Sequence, residues 1–129
     1  IIGATRNWCK TIIEWNLASD ENQKPHTEGG CSSCLGAVTI TGNSVQRNTA
    51  YYVIAHASKF VPPGSVRLHS SSSSTLPNVS FLTPEEKIVT IVLNDSSNKI
   101  NFNIILDGKD IHSSLKAGAV GTFIWDLSN

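Results

Sequence analysis

Lys87-Ile88-Val89-Thr90-Ile91-Val92-Leu93 decides the fold. β-Branched residues dominate the run, no helix-period gap interrupts it, and turn-forming residues bound it on both sides, so it reads as the strongest strand in the chain. Upstream, Thr83-Pro84-Glu85-Glu86 reads as a tight turn, Pro77 to Leu82 as extended chain, Ser70 to Ser74 as a flexible serine run and Ser65 to His69 as a strand. Downstream, Asn94 to Lys99 turns and Ile100 to Leu106 alternates. Asp107-Gly108 is a hairpin signal, and Asp110 to Leu115 with Ala119 to Trp125 supply the last strands. Short antiparallel strands at this spacing make a β-sandwich. A sandwich of roughly 65 residues is marginal alone, so it is expected to pack on, or borrow strands from, a larger partner.

Before Gly64 the pattern differs. Asn48 stands where it can cap a helix over Thr49 to Val61, with Val53, Ala57 and Phe60 at helical spacing, and Pro62-Pro63-Gly64 stops it. A module boundary therefore falls there, giving segments 1–63 and 64–129. Ala37 to Thr41 reads as a short strand ending in the turn Gly42-Asn43, and Thr5 to Lys10 is short and polar. Thr11-Ile12-Ile13-Glu14-Trp15-Asn16-Leu17 reads as a buried strand ending in an acid, an indole and an amide, groups that hold sugars. Polar residues at the carboxyl end of an apolar strand are where open sheets and barrels place ligands. By strand alternation alone, Trp15 packs inward while Glu14 and Asn16 face solvent. The loop from Ala18 to Gly36 carries Asp20, Glu21, His26 and Glu28, and a loop of that length is functional or disordered.

Composition excludes several functions. Ten basic residues balance ten acidic ones, so no basic field exists to hold nucleic acid or anionic lipid. No apolar run approaches the roughly 18 residues that span a bilayer, and Ile1-Ile2-Gly3-Ala4 lacks the charged flank and length of a signal peptide. The chain has no methionine and opens on Ile1, which reads as a piece of a longer polypeptide or one trimmed upstream. Cys31-Ser32-Ser33-Cys34 follows Gly29-Gly30, and Cys9 stands apart. A zinc site needs four ligands, and only His26 lies near enough to be a third, so no metal is expected. The pair reads as a local loop disulfide or two free thiols, ahead of metal and then redox chemistry.

Ile13-Glu14-Trp15-Asn16-Leu17, the loop Pro25-His26-Thr27-Glu28-Gly29-Gly30-Cys31 with Cys34-Leu35-Gly36, and Tyr51-Tyr52 follow one another in the order of glycoside hydrolase family 30. His56-Ala57-Ser58-Lys59-Phe60-Val61 and Pro63-Gly64-Ser65-Val66-Arg67 continue that order. Ile91-Val92-Leu93-Asn94 and Ala117-Gly118-Ala119-Val120-Gly121-Thr122-Phe123-Ile124-Trp125 extend the resemblance to the end of the chain. The Gly-Gly-Cys-x-x-Cys loop is most similar to that of the bacterial endo-β-1,6-glucanases, and the glucosylceramidase-like enzymes come second.

The resemblance implies a mainly β fold with some α: the C-terminal end of a (β/α)8 barrel over residues 1–63, followed by an antiparallel β-sandwich side domain over 64–129. It further implies hydrolysis of a β-linked glucan or other β-glycoside with retention of configuration. That reaction uses two carboxylates about 5 to 5.5 Å apart. In the family both are glutamates on the fourth and seventh barrel strands, upstream of this segment, so no catalytic residue is expected here and Glu14 matches neither motif. Trp15 matches the family tryptophan lining the sugar subsite, and Asn16, His26 and Glu28 are expected around it. The implied partners are the substrate and the remainder of the barrel; no cofactor is implied, and the location is secreted, periplasmic or cell-surface. The chain alone is then inactive. The alternative is a stand-alone carbohydrate-binding or structural β-sandwich module. Against it, Phe81, Phe102, Phe123 and Trp125 sit in strand patterns that suit a core rather than an exposed aromatic row.

Overall fold

The computed structural model describes residues 1–71 and 73–127. Ser72 of the serine run and positions 128–129 of the expected side domain lie outside the described residues. The chain forms two compact units, one of Ile1–Cys9 with His56–Asn129 and one of Lys10–Ala55. No described helix is long and apolar enough to cross a membrane.

The first unit is a mainly β sandwich. Its larger sheet orders β4 (Val66–Leu68), β5 (Asn78–Leu82), β6 (Lys87–Leu93) and β9 (Val120–Asp126), all antiparallel. The run that reads as the strongest strand is the inner strand β6, paired from Ile88↔Leu82 to Val92↔Asn78 on one side and along its whole length with β9 on the other. Every residue from Ile88 to Val92 is buried, because both faces of the sheet are covered. On one face Val79, Phe81 and Ile91 form the core cluster, closed over by Ile2, Ala57, Val61 and Val120. On that face His56 Nδ1 also meets Thr122 Oγ1 at 2.8 Å.

The other face looks toward a hairpin of β7 (Ile100–Leu106) and β8 (Lys109–Leu115). Asp107 and Gly108 between them take φ of 48° and 77°, the two left-handed residues that a type I′ turn requires. Alternation along β7 turns Phe102 inward, where it meets Phe123 edge-on with ring centroids 5.8 Å apart. A cleft of about 580 Å³ runs between sheet and hairpin, lined among others by Leu68, Thr90, Ile104 and Trp125. Its floor holds a buried cross-strand hydroxyl pair, Ser80 with Thr90 at 2.8 Å.

Asn94 ties together two turns at one end of this sandwich. It is wholly buried, and its Nδ2 donates to the carbonyls of Asn98 (2.8 Å), Leu115 (3.0 Å) and Lys116 (3.0 Å). Its Oδ1 accepts from the backbone N–H of Ser96 at 3.1 Å and the Ser96 hydroxyl at 2.7 Å. Its own N–H donates to Ala119 O, and its carbonyl accepts from Gly118 N. The turn after β6 is thereby fastened to the turn before β9.

At the start of the unit, α1 (Ile2–Arg6) occupies part of the stretch that reads only as short and polar. Arg6 fastens it to the serine run, its guanidinium donating to Ser70 Oγ at 2.9 Å and to Asn78 O at 3.0 Å.

The second unit holds a small sheet of order β1 (Ala18–Ser19), β2 (Val38–Thr41) and β3 (Ser44–Arg47). Here the expected buried strand over Thr11 to Leu17 is corrected. No strand forms there: Ile13, Trp15 and Leu17 are exposed, and pairing starts only at Ala18, parallel to Val38. A buried parallel strand needs a neighbour on each side, and within this chain β2 pairs only with Ala18 and Ser19, just beyond that run. The turn Gly42-Asn43 does form, and it returns the chain into β3, a strand exposed throughout. Helix α2 (Thr49–Ser58) follows, a turn shorter than the expected span to Val61.

Candidate functional site

The candidate site residues lie on the irregular segment before β1 and on the loop between β1 and β2, all within the second unit. Trp15 stands 57% exposed. Asn16 beside it is half-buried, and its Oδ1 is buried with no hydrogen-bond partner among the described residues. The two side chains therefore depart from the expected alternation in the direction that presents the aromatic ring.

The loop is ordered by its own polar groups. Asp20 Oδ1 accepts from the N–H groups of Asn22 and Lys24, both at 2.8 Å, and Asp20 N donates back to Lys24 O at 2.8 Å. This is the Asx-type turn that lets a short acid replace a strand ladder. Asp20 is thus a structural acid, and Glu21 accepts from the Thr41 hydroxyl at 3.3 Å. Gly30 N donates to Thr27 O, and Cys31 and Cys34 are joined in a disulfide. His26 and Glu28 stand exposed on the loop. Among the described residues no hydrogen bond joins Trp15, Asn16, His26 and Glu28 to one another; they share one unit rather than one bonded cluster. No group of three or more His, Cys, Asp or Glu side chains able to hold a metal occurs among the described residues.

Sequence reasoning missed what closes the loop. Ser19 Oγ accepts from Gly36 N at 3.1 Å, and Ala37 N donates to Asn16 O at 2.9 Å. Asn48 was expected only as a helix cap. Its carbonyl does accept from Tyr51 N, but its amide donates to Gly36 O at 2.8 Å and Thr39 Oγ1 at 2.9 Å. The one available signal was Gly36 itself, a glycine directly before a strand, where close backbone approach is a standing reading.

Residues 64–123 match the Glycosyl hydrolase family 30 beta sandwich domain. The chain is 32% identical over 112 residues to Endo-1,6-beta-D-glucanase neg1 of Aspergillus fumigatus, covering 81% of this chain and 23% of that protein. It is 29% identical to the lysosomal acid glucosylceramidase of Mus musculus, covering 87% of this chain and 22% of that enzyme. Among solved structures, the endo-beta1,6-glucanase BT3312 superposes with a TM-score of 0.85 at 28% identity, covering 97% of this chain and 29% of that one. The chain spans about a quarter of the length of the curated glucanases it matches.

Proposed function

The chain belongs to glycosyl hydrolase family 30, whose β-sandwich domain residues 64–123 form, and we propose that it is the C-terminal portion of a retaining β-glycoside hydrolase acting on a β-1,6-linked glucan. In this reading residues 1–63 are the last segment of a catalytic barrel and 64–129 its side domain. The two catalytic glutamates belong to the upstream barrel, so the chain by itself is inactive. Its contribution to the site is one wall: Trp15 as the sugar platform, Asn16 behind it, His26 and Glu28 on the rim. The similarity to two endo-β-1,6-glucanases over most of this chain favours the glucan over a glucosylceramide. A disulfide between Cys31 and Cys34 fits an oxidising location, secreted, periplasmic or at the cell surface.

The observation that carries the reading is the exposed indole of Trp15 immediately before β1. A pyranose covering such a ring gains about 1 kcal/mol from aromatic geometry and about 1–2 kcal/mol from apolar area removed from water. In the complete enzyme, Trp15→Ala is expected to lower kcat/KM on a β-1,6-linked glucan by roughly ten- to a hundredfold while leaving the circular dichroism and melting curve unchanged. Wild-type turnover in that variant would remove Trp15 from the site.

A further inference from the structure

Asn16, the residue after Trp15, is seated against Gly36: a Cβ at position 36 would stand 2.6 Å from Asn16 Oδ1, 2.9 Å from Ser19 N and 3.0 Å from the Ala18 carbonyl carbon, so a side chain there would force its neighbours to shift. Only a glycine lets the Asn16 amide seat there. Gly36 is itself fixed at both ends of its peptide, its N–H donating to Ser19 Oγ at 3.1 Å and its carbonyl accepting from Asn48 Nδ2 at 2.8 Å. Asn16 is bound to the same strand through its backbone carbonyl, and Val38 N donates to Leu17 O at 3.0 Å. The segment carrying Trp15 is thus pinned where Asn16 and Leu17 meet Ala37 and Val38.

The arrangement carries a cost. Asn16 Oδ1 is buried with no hydrogen-bond partner among the described residues, an arrangement that forfeits on the order of 1–3 kcal/mol. The contact with Gly36 fixes the backbone at Asn16, and with it the residue just before, Trp15.

We infer that Asn16 and Gly36 are positioning residues for Trp15, their contact setting where the indole stands for the sugar. The inference rests on the reading of Trp15 as the sugar platform. Asn16 then acts through Trp15 rather than by touching substrate, because its carbonyl oxygen faces Gly36.

The test is a double-mutant cycle in the complete enzyme, with a β-1,6-linked glucan as substrate. Misplacing a contact by about 1 Å costs up to about a hundredfold. Asn16→Ala is therefore expected to lose about tenfold or more in kcat/KM, and less than about twofold when made on a Trp15→Ala background. Equal losses in both backgrounds would overturn the inference, since a direct sugar contact or a general loss of folded enzyme is additive. So would an undiminished kcat/KM in Asn16→Ala beside an impaired Trp15→Ala. Gly36→Ala also meets the backbone at Ser19 N and the Ala18 carbonyl carbon, so it is expected to lose folded enzyme equally in both backgrounds, the additive pattern against which Asn16→Ala is compared. Should Trp15→Ala alone turn over normally, the site reading fails first and the positioning role with it, and the single-mutant arm separates that result from the others.

Discussion

Replacing Asn94 should loosen the sandwich more than any exposed change in the chain. Its side chain makes hydrogen bonds to three carbonyls and accepts two more from Ser96, all from a wholly buried position. Two amide hydrogens serve three acceptors, so one bond is shared. Taking about 1 kcal/mol for each of roughly four effective bonds gives a loss near 3–4 kcal/mol in Asn94→Ala. Domains of this size are stable by about 5–15 kcal/mol, so the loss is a large fraction of the total. Native-state hydrogen exchange reads it locally, at Asn94 N–H bonded to Ala119 O and at Gly118 N–H bonded to Asn94 O. Protection at both amides is expected to fall by about a hundredfold or more, each 1.4 kcal/mol being about tenfold. Asn94→Asp sharpens the test. It keeps the shape and the acceptor for Ser96 but turns a carboxylate toward three carbonyls, so it should lose at least as much as Ala. Near-wild-type protection in Asn94→Asp, or a change below about fivefold in Asn94→Ala, would refute the account of Asn94 as the donor that joins the two turns.

Two smaller effects follow from the same reasoning. Arg6→Ala removes a charged donor from Ser70 Oγ and Asn78 O, and should cost about 1.5–3 kcal/mol, seen as a lower unfolding midpoint and faster proteolysis in the serine run, with Arg6→Lys recovering only part. Gly108→Ala meets no atom within 4 Å, so its cost is the left-handed backbone alone, about 1–2 kcal/mol in denaturant unfolding; Gly108→Asn, which tolerates that conformation, should lose less.

The sandwich was legible because its signals are local. β-Branched content marked β6, alternation marked β7, and Asp107-Gly108 carried the turn chemistry of the hairpin between β7 and β8. Elements whose cause is not local went unread. α1 is five residues long, too short to show a helical period. β3 is exposed at every residue and so has no buried face to write a pattern. Asn94 reads as the start of a turn, because nothing in its neighbours announces that Leu115 and Lys116 will supply its acceptors. The run Thr11 to Leu17 shows the opposite failure: its apolar residues express a demand for burial that this chain satisfies only from Ala18 onward.

Which way Trp15 faces is the case where sequence alone had two answers. Alternation put Trp15 inside and Asn16 in water, the assignment that hydrophobicity favours. The structure has the reverse, with the indole 57% exposed and the amide oxygen buried. The deciding residue is on the far side of the loop. Gly36 leaves beside Ser19 and Ala18 a space that an amide fills and a larger side chain at position 36 would close, and Asn48 holds Gly36 at that distance by its carbonyl. The orientation of the aromatic ring is therefore set by the absence of a side chain some twenty positions later in the chain, through a steric contact that neither periodicity nor composition records.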